Sequence, residues 1–261
     1  MSDLFVQRDV ALPAGTLRVS EAGTGRPLLH LHSAGGPRFS PVVVGLTAKH
    51  RVICPTVPGF DGTPVSAAVK TIADLADLYA EFIRQELGGQ KVDVMAESFG
   101  GWIAMWLAVR HPDLVDQLVL EGPAGLRVGG KGGLPADPVE RHRQLYAVPE
   151  RAPAETRSTE TLVANRNAVV GYGGGVAFDD ALAEKLETIS ARTLIVMGYK
   201  EQIIPIESAH LLKGKIPHSH LTYVFGAAHA AEFDQPERVG KLVADFLERG
   251  ESFIVREPQV A

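Results

Sequence analysis

Apolar and polar positions alternate with period two over residues 5–12 and 17–21, and Pro13-Ala14-Gly15 lies between them, so the chain opens on a predicted β-hairpin. Short apolar runs at 28–32, 51–55, 91–96, 118–120, 193–197 and 221–225 predict six further strands. Helical patterns separate them at 41–48, 71–87, 99–110, 206–212 and 236–247. The strongest is 71–87, where Ile72, Leu75, Leu78, Tyr79, Phe82 and Ile83 fall on one helical stripe. Strands alternating with helices predict a mostly parallel sheet covered on both faces, with the hairpin as antiparallel edge strands. The pattern changes over 122–190. Gly- and Pro-rich pieces there alternate with short helical segments near 138–146, 160–170 and 180–188, and strand signals vanish. The expected organisation is a core of 1–121 and 191–261, with a helical cap, 122–190, inserted after the sixth strand. The glycine-dense stretch 171–175 reads as a helix end rather than a phosphate loop.

Composition narrows the function classes. A chain of 261 residues suits one α/β domain with an insertion. A net charge of -5 without a long basic run argues against nucleic acid or an anionic membrane as partner. The single cysteine, Cys54, sits in the apolar run Val52-Ile53-Cys54 and reads as a buried thiol; it excludes an intramolecular disulfide and a multi-cysteine metal site. Residues 1–10 lack the basic and apolar regions of a signal peptide, and no apolar run approaches the roughly 20 residues that span a bilayer. A soluble cytoplasmic protein acting on a small molecule is the default expectation. Histidines and carboxylates show no ligand spacing such as H-E-x-x-H, so neither metal nor cofactor is expected. Oligomeric state is left open.

Candidate chemistry concentrates at Ala96-Glu97-Ser98-Phe99-Gly100-Gly101-Trp102. An apolar strand stops at a serine, and a helix begins directly after it. A sharp strand-to-helix turn lifts the apical side chain out of the sheet and places the next N–H at a helix N-terminus, the mechanics of a nucleophile elbow. The usual pattern is G-x-S-x-G; Ala96 replaces the first glycine, a departure of one methyl that a small shift absorbs. Glu97 is expected to point away from the Ser98 cleft into a structural hydrogen bond.

With its elements in this order, the chain resembles the α/β-hydrolase superfamily over nearly its whole length. Five stretches carry the resemblance in order: Leu29-His30-Leu31-His32-Ser33-Ala34-Gly35-Gly36-Pro37, Val57-Pro58-Gly59-Phe60, the elbow, Met197-Gly198-Tyr199-Lys200-Glu201 with Ile204-Pro205, and Gly226-Ala227-Ala228-His229 with Gln235-Pro236-Glu237. The resemblance implies an α/β-hydrolase fold and a nucleophile, acid and histidine in that chain order.

A serine needs a base to accept its proton, and histidine, with a pKa near 6.5, suits that task when a carboxylate fixes its tautomer. Ser98, Glu201 and His229 fill those roles. Glu201 stands where the resemblance expects Asp; Glu121, at the end of the sixth strand, is the rival acid. The oxyanion hole is assigned to the N–H groups of Phe99 and Ala34. Ser33, which replaces a glycine of the oxyanion loop, either caps the turn or adds a hydroxyl. His32 is expected to organise that loop, and His30 to be a hydrogen-bonded core histidine. Phe39, Trp102, Tyr146 and Tyr172 are the candidate pocket residues; Arg127 and Lys131 read as a solvated face. The leading expectation is a serine hydrolase cleaving a small to medium carboxylic ester, thioester or lactone through an acyl-enzyme. A lyase or carbon–carbon hydrolase with the same triad is the alternative, since a lyase subset of this fold also carries Glu-Ser-x-Gly-Gly. A non-catalytic binder is the third reading, disfavoured by the intact Ser98, His229 and acid.

Overall fold

The computed structural model describes residues 4–250; the outer ends of the core as read from sequence, 1–3 and 251–261, lie outside the described residues. The eight strands are β1 (Val6–Leu12), β2 (Gly15–Ala22), β3 (Arg26–Leu31), β4 (His50–Pro55), β5 (Val92–Glu97), β6 (Val115–Glu121), β7 (Arg192–Gly198) and β8 (Ser219–Val224). They form one sheet in the order β1-β2-β4-β3-β5-β6-β7-β8. The six strands β3 to β8 are mutually parallel. The β1–β2 hairpin pairs antiparallel within itself and onto β4. Strands β5 and β7 are buried almost residue by residue, because helices cover both faces of a parallel sheet and no position is left for water.

Successive side chains of one strand feed two separate cores. Val94 and Ala96 of β5 pack into the larger core with α2 (Ile72–Glu86), α3 (Phe99–Arg110) and α7 (Ile206–Lys215). Met95 packs on the opposite face with α1 (Pro41–Leu46) and α9 (Pro236–Arg249). Helix α2 starts at a capping box, Thr71 bonding the N–H of Asp74 and Asp74 returning to the N–H of Thr71. Helix α3 is buried along nearly its whole length, from Phe99 to Ala108. It therefore lacks the polar stripe of a surface helix. No described helix is long and apolar enough to cross a membrane.

Between β6 and β7 the chain forms α4 (Pro138–Leu145), α5 (Thr159–Gly173) and α6 (Asp180–Ala183), with short 3-10 turns. Helix α5 is capped by Ser158 and ends at the left-handed Gly174. Three buried or half-buried carboxylates tie this segment to the sheet. Asp61, at a φ of +48°, accepts from Arg157 Nε at 2.8 Å and Nη2 at 3.0 Å and from Asn165 Nδ2 at 2.9 Å. Asp179 accepts the indole N–H of both Trp102 and Trp106 at 2.8 Å and caps α6.

Asp234, on the short helix α8 (Ala231–Asp234), is fully buried and accepts three backbone N–H groups: Ala228 at 2.8 Å, Ala147 at 2.9 Å and Val148 at 2.8 Å. The first precedes His229 directly and the other two follow α4, so one carboxylate sets the distance between the histidine loop and the segment above it. Asp234→Ala strands three buried donors. It is expected to lower unfolding stability by about 3 kcal/mol or more, each bond to a charged acceptor contributing ~1.5–3 kcal/mol. Equilibrium urea unfolding of the variant against the parent checks this.

Candidate active site

Strand β5 ends at Glu97 and α3 begins at Phe99, leaving Ser98 at φ +46°, ψ −108°. Only Asp61 and Ser98 have positive φ among the described non-glycine residues. Such a conformation costs about 1–3 kcal/mol and persists only where the surroundings over-determine it. Here Ser98 N–H donates to the Glu121 carbonyl at 2.9 Å, and the Ser98 carbonyl accepts from Ala124 N–H at 2.8 Å. The turn is tight because α3 lies against β3: a Cβ on Gly100 would stand 2.2 Å from the Leu31 carbonyl oxygen, and one on Gly101 would stand 2.7 Å from Pro123 Cβ. The close approach thus falls on Gly100 and Gly101. Ala96, fully buried between Leu31 and Leu120, keeps its methyl in the core. Ser98 does not cap α3 with its side chain.

His229 follows β8 in the loop that Asp234 holds. Its Nδ1 lies 2.6 Å from Glu201 Oε2, and the other Glu201 oxygen accepts the N–H groups of Ile203 at 2.7 Å and Ile204 at 3.1 Å. Burial opposes a charge on Glu201, but His229 and the two N–H donors outweigh it and hold the carboxyl below its usual range. Burial likewise opposes the imidazolium of His229, yet the adjacent Glu201 raises its pKa above the ordinary histidine value. With Glu201 ionised, Nδ1 carries the proton and Nε2 is left as an acceptor.

The loop after β3 is set by His32. Its Nε2 accepts Val57 N–H at 3.1 Å, so Nδ1 carries the proton and donates to the Ser33 carbonyl at 2.8 Å. Burial lowers the pKa of His32 to about 4, so the ring stays neutral and keeps both bonds. The organising role expected of His32 is what the structure shows. The N–H groups of Ala34 and Phe99 make no hydrogen bond among the described residues; Phe99 N–H is unpaired because it opens a helix.

Ser98, His229, Ser33 and Ala34 line one cavity of about 500 Å³. Tyr146 lines it too, but three of the expected pocket residues do not. Phe39 stacks on Phe5 with ring centroids 3.8 Å apart, on the face of the sheet that holds α1. Trp102 turns its indole to Asp179. Tyr172 gives its hydroxyl to the Pro58 carbonyl at 2.9 Å. An aromatic side chain in sequence does not reveal whether its polar tip is already committed to the protein, and for Trp102 and Tyr172 it is. The wall is built instead by Leu145 of α4, by Phe233 of α8, and by Leu162, Arg166, Val169 and Val170 of α5. Those four α5 positions fall at i, i+4, i+7 and i+8, one helical face, a signal present in the sequence. Of the cavity arginines, Arg38 pairs with Glu155 and Arg141 donates to the Pro135 carbonyl at 3.2 Å. Arg166 makes no hydrogen bond or ion pair among the described residues. Arg127 donates to the Gly132 carbonyl at 2.8 Å, and neither it nor Lys131 lines the cavity.

Glu121 does not touch His229. Its Oε1 accepts the N–H of Glu232 at 3.0 Å, and Glu201 is the one of the two carboxylates that contacts His229. Glu121 belongs to a buried acidic group that sequence spacing conceals. Glu97 bonds His30 Nε2 at 2.8 Å, as a structural role requires, but it also lines the cavity rather than pointing away from it. Ser40 donates to Glu232 Oε2 at 2.8 Å, and Glu232 Oε1 is buried without a hydrogen-bond partner among the described residues. His30, Glu97 and Glu232 bring candidate ligand atoms within 4.8 Å of one another. The expectation that no metal site exists rested on spacing along the chain, and spacing cannot see residues contributed by β3, β5 and α8.

The electrostatics give a titration test. An NMR titration of His229 is expected to give a midpoint above 6.5, because the Glu201 anion favours the imidazolium over burial. In Glu201→Gln the anion is gone while burial remains, so the midpoint is expected to fall below the parent value. A midpoint that does not move would mean that the pair is not electrostatically coupled.

Comparison with known proteins places this geometry. Residues 26–140 match a family model described as the alpha/beta hydrolase fold. The 2-hydroxymuconate semialdehyde hydrolase of Pseudomonas sp. (strain CF600) is 27% identical, the match covering 93% of this chain and 94% of the relative. The 2-hydroxy-6-oxo-2,4-heptadienoate hydrolase of Pseudomonas putida is also 27% identical, with coverage of 87% and 91%. Among solved structures, a serine hydrolase involved in carbazole degradation superposes with a TM-score of 0.77 at 25% identity, over 94% of this chain and 99% of that one. The sheet order, the turn at Ser98 and these likenesses agree, and the chain has the α/β-hydrolase fold.

Proposed function

We propose that this protein is a serine-dependent hydrolase that cleaves a carbon–carbon bond beside a ketone in a carboxylate-bearing dienoate. The observation that carries this reading is the composition of the cavity: Ser98 and a Glu201-bonded His229 at one wall, and at another the unspent guanidinium of Arg166 on α5. An uncommitted arginine beside apolar side chains suits an anionic substrate with an apolar body. The relatives named above act, by name, on 2-hydroxymuconate semialdehyde and on a 2-hydroxy-6-oxo-heptadienoate, and the latter is such an anion. This reading takes precedence over the ester expected from sequence.

Ser98 Oγ attacks the ketone carbon as its proton passes to His229 Nε2, and Glu201 stabilises the imidazolium that forms. The N–H groups of Phe99 and Ala34 receive the developing oxyanion. For cleavage the dienoate stands as its keto tautomer, its 2-hydroxyl proton moved to the carbon beside the ketone; collapse then breaks the carbon–carbon bond, and the electron pair enters the 2-oxo-enoate fragment as a conjugated dienolate. That fragment takes the proton from His229. Water, activated by the same histidine, then releases the acyl group from Ser98 as a carboxylic acid. An ester follows the same course with an alkoxide as leaving group, and the apolar wall of Leu145, Leu162, Val169 and Phe233 accommodates one, so ester cleavage is the second reading.

Ser98→Ala is expected to abolish turnover, and Glu201→Gln to lower kcat by about 10³- to 10⁴-fold, with Glu121→Gln far milder. If the Glu121 change is the crippling one, the acid is misassigned. Arg166→Ala separates the substrate classes. It is expected to raise KM for a 2-hydroxy-6-oxo-dienoate by about 10- to 100-fold, the loss of a charge-assisted contact, and to leave KM for the uncharged p-nitrophenyl butyrate nearly unmoved. Steady-state kinetics on both substrates decides, and turnover of the ester alone would overturn the carbon–carbon reading.

A further inference from the structure

The chain that follows α4 is tied to the histidine loop residue by residue. Ala228 and Ala230 flank His229, and Leu145 and Ala147 flank Tyr146. Ala230 N–H donates to the Leu145 carbonyl at 2.9 Å. Asp234 accepts Ala228 N–H at 2.8 Å and Ala147 N–H at 2.9 Å. The residues on either side of Tyr146 are thus held, directly or through one carboxylate, to the residues on either side of His229. The Tyr146 ring meets Phe233 edge-on, with centroids 6.2 Å apart and planes at 84°. Both rings line the cavity that holds Ser98 and His229. Tyr146 is half-buried, yet its hydroxyl makes no hydrogen bond among the described residues and keeps contact with solvent. The Tyr172 hydroxyl, in contrast, is spent on the Pro58 carbonyl. Arg38 and Glu97, both in the cavity wall, are among the charges that act on the Tyr146 hydroxyl, which sets that hydroxyl on the cavity side of the ring.

We propose that Tyr146 is a substrate-binding residue whose hydroxyl donates a hydrogen bond to the 2-oxygen of the leaving fragment. A tyrosine in an apolar wall finds a partner for its hydroxyl, and here that partner arrives when the cavity fills. The leaving fragment takes its proton from His229, so it lies on the side of the cavity where Tyr146 is held. In the keto tautomer the 2-oxygen is a carbonyl acceptor, and once the carbon–carbon bond breaks it carries charge of the dienolate. The hydrogen bond therefore strengthens toward the transition state, where it raises kcat. Tyr146 transfers no proton. Burial pushes its pKa to about 12, Glu97 adding to the rise and Arg38 opposing it, so at neutral pH the phenol remains a donor. The contact favours leaving fragments that carry an oxygen acceptor away from the bond being cleaved. The inference deepens the carbon–carbon reading and rests on it.

Tyr146→Phe deletes the hydroxyl and keeps the ring against Phe233. The probes are 2-hydroxy-6-oxo-6-phenylhexa-2,4-dienoate and phenyl butyrate, whose leaving phenol has no oxygen besides the one that His229 protonates. For the dienoate, kcat/KM of Tyr146→Phe is expected to fall by about 10- to 100-fold, mostly in kcat, the effect of a hydrogen bond to a charged acceptor. For phenyl butyrate it is expected to stay within about twofold of the parent, no such bond being lost. The NMR midpoint of His229 and the thermal unfolding midpoint are expected to match the parent, because the hydroxyl bonds nothing within the protein. Equal losses on both substrates, or a displaced His229 midpoint, would mean that Tyr146 only positions the histidine loop, and would overturn the proposal. A lowered unfolding midpoint would do the same by showing the hydroxyl committed inside the protein. Unchanged dienoate kinetics in Tyr146→Phe would overturn it while leaving the carbon–carbon reading intact. A parent that turns over phenyl butyrate but not the dienoate would overturn both.

Discussion

The backbone at Ser98 is the constraint on which the site depends. A serine at positive φ is held there because Gly100 lies so close to the Leu31 carbonyl that no side chain fits between α3 and β3. That approach delivers several things together. It aims the serine out of the sheet, leaves the Phe99 N–H free at a helix start, and brings the loop after β3 to the same place. The strain is absorbed by a core buried on both faces of the sheet, and the flanking hydrogen bonds of Ser98 to Glu121 and Ala124 lock it.

Electrostatics then divides two carboxyls of one composition into two roles. Glu201 has an imidazole and two N–H groups within hydrogen-bonding distance, and these hold it ionised despite burial. Glu121, one sheet position away, has acids for neighbours and only backbone N–H groups of α8 against them, and burial drives it toward the neutral form. Glu201 is thereby suited to steady the imidazolium of His229, and Glu121 is held away from the charged form. The segment above the sheet is fixed by the same economy of buried carboxylates. Asp61, Asp179 and Asp234 each bridge elements far apart in sequence, and Asp234 couples the position of His229 to the wall that carries Tyr146.

Much of this was legible in the chain itself. The strands and the main helices lie where hydrophobic periodicity predicts them, because period two and period 3.6 are local properties of the residues that carry them. The elbow was legible because its signature, a strand ending at a serine before paired glycines, is written in consecutive positions. The pocket was not. Aromatic rings mark Phe39, Trp102 and Tyr172 as pocket candidates, yet each ring or its polar tip is already engaged by Phe5, Asp179 or Pro58, residues remote in sequence. Arg166 is not legible as a cavity residue although Leu162, Arg166, Val169 and Val170 share one helical face, since nothing in the periodicity says which face meets the cavity.

By itself, then, the sequence determined the order of elements, the turn at Ser98, the histidine loop and the fold class, all of which rest on short-range patterns. Tertiary structure alone decided that Glu201 rather than Glu121 meets His229, that Glu97, Glu121 and Glu232 crowd into one buried group, and that Arg166 is left uncommitted at the cavity. The physical reason is common to all three. Whether a carboxyl is charged, a donor or a partner depends on the groups within a few ångströms of it, and in this fold those groups come from strands and helices more than 20 residues apart along the chain.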